Sequence, residues 1–168
     1  MKKNIISLSF SFIFCLTTLL GLNYFSFPQD FPDNKFFIKI FDFLKISSIP
    51  SQSITVAECS SNLEFYDITS LEYSYYGAVF IPEMNSIFTV PFSKLIKKEI
   101  FYQTLAHEVM HFYLHNYFDL THAEEEGFII FYLEQKNLIP EYKEYYLTFM
   151  NVWEGNIHKF LNSRRKKI

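Results

Sequence analysis

Two segments organise this chain: Thr104-Leu105-Ala106-His107-Glu108-Val109-Met110-His111, and Thr121-His122-Ala123-Glu124-Glu125-Glu126-Gly127-Phe128 beyond it. No Pro or Gly interrupts Lys97 to Asn116, and a second unbroken run extends from His122 to Asn137 before Pro140, so two helices joined by a short loop are expected. Within the first, His107 and His111 stand at i and i+4, which places both imidazoles on one face as a metal clamp. Glu108, one position on, reaches the space beside the ion rather than the ion itself. That is the place of a general base acting on water.

A catalytic zinc takes three protein ligands and keeps one position open. Thr121 and Glu124 form a T-x-x-E capping box that sets the start of the second helix. From His111 to Asn116 and from Thr121 to Glu126 the chain runs five residues each way, about 7.5 Å per arm at 1.5 Å per residue. An antiparallel pair therefore brings Glu125 and Glu126 level with the imidazoles. Glu126 shares a stripe with Ala123, Ile130 and Leu133, whereas Glu125 is rotated by about 100°, so Glu126 is the expected third ligand. Gly127 lets these two helices approach closely. His115 continues the histidine stripe too far along to ligate and is expected to pack or support. His122, at the first helical position, is expected to face solvent.

Working outward, Ser51–Cys59 reads as a strand, and Tyr75–Ile81 with Ser86–Val90 as a hairpin turned by Pro82-Glu83-Met84-Asn85. Asp33–Ile46 places Phe36, Phe37, Ile40, Phe41 and Leu44 at helical spacing, with Asp33 as cap, and is expected to pack on the core. Glu141–Ser163 carries Tyr142, Tyr146, Phe149, Trp153, Ile157 and Phe160 on one stripe of a core-facing helix. Arg164–Lys167 reads as a solvated tail, and Cys59 as a small buried apolar residue. The expected class is α+β. It comprises a small, mostly antiparallel sheet, an active-site helix, a glutamate helix and a C-terminal amphipathic helix, after an N-terminal hydrophobic helix.

That first helix is an address. Lys2 and Lys3 precede the apolar run Ile5–Leu22, and no charge returns until Asp30. The pattern is that of a signal peptide, yet about 18 apolar residues also suffice to span a bilayer. The want of small residues at the cleavage positions favours an uncleaved anchor. In that topology the lysines stay cytoplasmic, the rest is exported, and Tyr24, Phe25 and Phe27 sit at the lipid boundary. Residues 1–29 are thus the leader and 30–168 the domain, extracytoplasmic and membrane-anchored or secreted.

Composition narrows the classes further. A formal charge of −3 and a pI near 5.9 lack the basic footprint of a nucleic-acid binder. Two cysteines, Cys15 and Cys59, make no disulfide framework and no CxxC site. The metzincin continuation needs Gly at 114 and His at 117, where Leu114 and Tyr117 stand.

Taken together, Thr104–His111 followed by Glu125-Glu126-Gly127-Phe128 resembles the gluzincin zinc metallopeptidases, in particular their minimal single-domain members, over about Tyr75 to Gln135. The resemblance implies Glu126 as third zinc ligand, in agreement with the stripe. It also implies a sheet whose edge strand, Gly77–Phe80 or Ser86–Val90, receives an extended peptide or protein substrate, and a Tyr or His that steadies the oxyanion, with Tyr75, Tyr76, Tyr142, Tyr145 and Tyr146 as candidates. An Asp four residues after the ligand Glu is missing, since Ile130 stands there. The rival class is an exported protein that binds zinc without turnover, and Glu108 separates the two, because a storage site has no use for a carboxylate beside the metal.

Overall fold

Alternation of side chains with period two builds the sheet. The structure, a computed structural model, describes residues 22–27, 30, 39–40, 42–45, 54–73, 76–135, 138–153 and 155–166. Strands β1 (Asn23–Phe27), β2 (Ile54–Glu58), β3 (Ala78–Ile81) and β4 (Ser86–Thr89) lie in the order β1-β2-β4-β3. The outer pairings, β1 with β2 and β3 with β4, are antiparallel, and the central pairing of β2 with β4 is parallel. The class is α+β, with a mixed sheet. β4 is buried at every position, as an inner strand covered on both faces must be.

On one face Ala57, Cys59, Phe88, Val90 and Leu95 pack with Phe65 of α1 (Asn62–Thr69), a helix that Ser61 caps by accepting from the Glu64 amide. Cys59 is fully buried there, and burial, helped by the charges of Glu64 and Glu58, pushes its thiol up to about 12. On the other face Ile54, Val56, Ala78, Phe80 and Ile87 meet Val109, Phe112, Phe128 and Phe149 of the helical layer.

Asn23–Phe27, which the leader reading sets at the lipid boundary, is an edge strand in register with β2, and Phe27 is 1% exposed within the core. Phe25 and Phe27 point to one face of the sheet because they are two residues apart. The apolar run before Leu22 and the Asp33 cap lie outside the described residues. Of the helix expected over 33–46, Lys39–Ile40 and Asp42–Leu44 are described as helical, and Ile40 and Leu44 are buried in the core. Among the described residues no helix is long and apolar enough to cross a membrane.

The helical layer departs from the expected boundaries in three places. The run from Lys97 is two helices, α2 (Phe92–Lys97) and α3 (Phe101–Tyr117). Glu99 takes φ 60 between them, the Ile100 amide donates to the Leu95 carbonyl, and the Glu99 amide donates to that of Ile96, which is a Schellman closure. The next helix, α4 (His122–Tyr132), ends the same way, with Glu134 at φ 50 and the amides of Gln135 and Glu134 donating to the carbonyls of Ile130 and Phe131. Neither closure uses glycine, so neither was legible. Third, Glu141–Ser163 is split into α5 (Pro140–Val152) and α6 (Ile157–Ser163), broken at Gly155 with φ 73 and restarted by the Asn156 side chain, which accepts from the Lys159 amide. Of the expected stripe, Phe149 and Phe160 are buried and Trp153 and Ile157 pack against the core.

The tail is exposed at Arg164 and Lys166 but tied down by its backbone, and Lys167 lies outside the described residues. Phe118 and Arg165 form a bridge, Asp119 N–H donates to the Arg164 carbonyl, and Lys166 N–H donates to that of Tyr117. Arg165 also donates to the Leu44 carbonyl at 2.9 Å. The chain end thus straps the loop between α3 and α4, because carbonyls and amides freed at the end of α3 need partners.

Candidate metal centre

α3 and α4 bring the expected ligands together. His107 and His111 project one turn apart from α3, and their Nε2 atoms are 3.0 Å from each other. Glu126 of α4 places Oε1 3.2 Å from His111 Nε2 and Oε2 3.4 Å from His107 Nε2. Two bonds of about 2.05 Å meeting at a tetrahedral centre leave their donor atoms about 3.3 Å apart. The separations, which draw on both Glu126 oxygens, lie near that edge, and with one ligand atom from each residue within 4.8 Å of the others, His107, His111 and Glu126 are a group able to hold a metal ion.

The polar bookkeeping of the site agrees. Glu126 is 7% exposed, and among the described residues Glu126 Oε2 and Thr89 Oγ1 are the buried side-chain polar atoms without a hydrogen-bond partner. A buried carboxylate oxygen without a donor is costly, by about 1–3 kcal/mol or more for a charged group. A cation at the centre of the triangle removes that cost, so the donor set fits a divalent metal with mixed nitrogen and oxygen preference. Without the ion a proton serves instead. Burial opposes charge on His111, but hydrogen bonds to Glu125 and Glu126 and the nearby charges of Glu108 and Glu126 outweigh it and lift its pKa to about 10. Burial likewise opposes charge on Glu126, and the close imidazoles of His107 and His111 overcome it, holding the carboxyl well below the usual range.

The position of Glu126 depends on both ends of its element. Thr121 Oγ1 accepts from the Glu124 amide at 3.3 Å while Glu124 Oε2 accepts from the Thr121 amide at 2.8 Å, the capping box foreseen from sequence. Gly127 serves a different neighbour from the one expected. A Cβ there would lie 2.3 Å from the Tyr145 carbonyl oxygen and 2.5 Å from Phe149 Cβ, so the close approach is to α5, not α3. α5 in turn presses the glutamate face of α4 towards the imidazoles.

Glu108, 7% exposed, lies in the same cleft, and its Oε2 accepts from the Phe80 amide of β3 at 2.7 Å. The cleft, about 420 Å³, is lined by β3 and by His107, Glu108, His111, Glu126, Tyr76 and Tyr142. A contiguous cleft of about 450 Å³ shares Tyr76, His107, Glu108 and Tyr142 and extends past Gln135 to Ile139. Of the five tyrosine candidates, Tyr142 and Tyr76 line both, Tyr145 lines the first but donates to Glu141 at 2.7 Å, Tyr146 lines neither, and Tyr75 lies outside the described residues. Burial first, then the charge of Glu126, pushes the Tyr142 phenol above its ordinary range, which keeps it a donor.

His115 is exposed at the rim, its ring edge-on to Phe80, and His122 is exposed with its ring against Tyr145. Neither joins the triangle. Two residues around it were not singled out for a role from sequence. Glu125 Oε1 lies 2.9 Å from His111 Nδ1, and the Gln135 amide nitrogen lies 3.1 Å from His107 Nδ1. The 100° rotation of Glu125 from Glu126 could have suggested the first, since it aims that carboxylate at the outer edge of the ring. Gln135 depends on the glycine-free turn after α4 and carried no signal. Comparison with protein-family models, curated proteins and solved structures finds no match.

Proposed function

We propose that this chain is a zinc-dependent peptidase of gluzincin type, with His107, His111 and Glu126 as ligands and Glu108 as general base. One observation carries the reading: His107, His111 and Glu126 converge with their ligand atoms within 4.8 Å of one another, on a cleft that also holds a buried carboxylate, Glu108, outside that group. A bound zinc ion supplies Lewis-acid polarisation of a carbonyl and makes water acidic enough to ionise near neutral pH. Glu108 accepts the proton from the attacking water and returns it to the departing amine. Its grip on the Phe80 amide fixes the carboxylate between strand and helix, so its second oxygen is the one that faces the reaction.

β3 is the sheet edge on the cleft side, whereas β4 is internal, which leaves β3 as the docking strand. The Val90 amide donates to the Gly77 carbonyl at 3.0 Å, so odd-numbered residues of β3 bond to β4, and the main-chain groups of Ala78 and Phe80 face away, the Phe80 amide towards Glu108 and the others towards the open edge. An extended peptide or protein segment adds to that edge by main-chain hydrogen bonding. Tyr142, protonated and lining both halves of the cleft, donates to the developing oxyanion. The basic and apolar leader supports an extracytoplasmic location, anchored in or released from the membrane.

The purified protein is expected to contain one zinc ion and to cleave unstructured peptides. Glu108→Gln is expected to retain the metal and lose turnover by about 10²–10⁴-fold. Undiminished cleavage by that variant, or a wild-type protein free of metal after zinc loading, overturns the proposal.

A further inference from the structure

The geometry points to Glu125 and Gln135 as the positioning residues of this site, each holding the Nδ1 of one ligand imidazole so that its Nε2 is aimed at the ion. The inference rests on the metal-site reading above and deepens it.

A neutral imidazole carries one proton and one lone pair. To ligate through Nε2 it must carry the proton on Nδ1, and that N–H needs an acceptor if the ring is neither to turn nor to change tautomer. The structure places a polar side chain at each Nδ1, a carboxylate at one ring and a carboxamide at the other. Glu125 Oε1 lies 2.9 Å from His111 Nδ1, with both side chains 14% exposed. The end of the Gln135 side chain lies 3.1 Å from His107 Nδ1. Its amide oxygen and nitrogen exchange places by a half turn about the last torsion, and with the oxygen towards the ring it accepts the Nδ1 proton.

Glu125 belongs to the helix that carries Glu126, and Gln135 to the turn that closes it. Glu125 stands in the first turn of α4, where the Thr121–Glu124 box fixes the helix start. Gln135 is the residue after left-handed Glu134, and its own amide closes the helix on the Ile130 carbonyl. One helix therefore holds Nδ1 of His111 from its beginning and Nδ1 of His107 from its end, with the ligand Glu126 between. Ile130 is apolar and buried, so the acceptors come from the two ends of the helix and not from its middle.

The two supports differ in charge, which makes the inference testable. Carboxylate acceptance raises the donor strength of the His111 ring, whereas amide acceptance at His107 only orients it. Affinity for zinc, measured by chelator competition, is expected to fall about 10–100-fold in Glu125→Ala and less in Gln135→Ala. Glu125→Gln keeps an acceptor without the charge and is expected to recover most of the loss. With cobalt(II) as probe, the visible ligand-field bands are expected to shift in Glu125→Ala and return towards wild type in Glu125→Gln, a readout that loss of fold stability alone does not move. Should Glu125→Ala fail to fold, the Glu125→Gln and Gln135→Ala pair carries the same test. Wild-type zinc affinity and an unchanged cobalt spectrum in Glu125→Ala and Gln135→Ala overturn the inference while leaving the metal site standing. No recovery in Glu125→Gln also overturns it. A wild-type chain that takes up neither ion overturns the metal-site reading, and this inference with it.

Discussion

Glu124 and Glu126 are two residues apart on one helix and equally hidden, at 5% and 7% exposure, yet their surroundings are opposite. At the capping corner every oxygen of Glu124 is matched: Oε2 accepts from the Thr121 amide at 2.8 Å and the Thr121 hydroxyl at 3.0 Å, and Oε1 accepts from Arg164 Nη2 at 2.6 Å. At the imidazole seam Glu126 has Oε1 3.2 Å from His111 Nε2, while Oε2, which has no hydrogen-bond partner, lies 3.4 Å from His107 Nε2. Saturation is what a structural carboxylate achieves, because each unmatched buried oxygen subtracts from stability. An oxygen without a hydrogen-bond partner beside two imidazoles belongs instead to a group able to hold a metal ion, and the contrast separates a saturated carboxylate from an unsaturated one.

The widest difference is expected from removing each carboxylate in turn. Glu126→Ala should weaken zinc binding by more than about 100-fold, beyond the range for groups that only support a ligand, while Glu124→Ala should leave metal content near wild type. Metal analysis after dialysis checks both, and equal retention by the two variants would erase the distinction. Next in size, Gly127→Ala drives a methyl group into the Tyr145 carbonyl, and overpacking of this kind costs about 1–3 kcal/mol. Thermal unfolding should register that loss, together with weaker zinc binding because Glu126 is the adjacent residue.

Arg164→Ala tests the corner alone. Losing a charged hydrogen bond to buried Glu124, from an arginine that is 43% exposed, should cost about 1–2 kcal/mol in urea unfolding and leave zinc affinity nearly unchanged. A pH profile probes the imidazole seam without any substitution. The folded pKa of His111 is raised from 6.5 to about 10, so its pairing contributes fully below about pH 6.5 and the contribution is lost as pH rises through about 10. Glu126 is lowered from 4.5, so its contribution is present above that value and lost as pH falls through the depressed folded value. Metal-free protein should therefore weaken at both extremes. Arg164→Ala should lower that profile without changing its shape, and a flat profile through pH 10 in metal-free wild type would contradict the pairing.

Much of the site was legible because its parts are local. The i and i+4 spacing of His107 and His111 fixes their shared face, and Thr121 with Glu124 announces where α4 begins, so the height and side of Glu126 follow from helix geometry. The hairpin of β3 and β4 was marked by Pro82 and Asn85. Two of the three helix boundaries that escaped reading share one cause. Glu99 and Glu134 occupy left-handed positions where glycine is usual, and packing of the neighbouring turn sustains a conformation that the residue type disfavours. The parallel pairing of β2 with β4, the strand at Asn23–Phe27 and the strap of Arg164–Lys166 are contacts between segments distant in sequence, and no local pattern encodes them.

Periodicity and capping chemistry therefore picked out the three side chains that converge and the buried carboxylate beside them, since each depends on residues within a few turns of one another. Which neighbour Gly127 must admit, which strand lies open along the cleft, and which side chains hold the outer nitrogens of the rings were settled by α5, the sheet order and the turn after α4. Those are questions of what lies across a gap from what, and they are answered only when apolar burial draws distant parts of the chain onto one core.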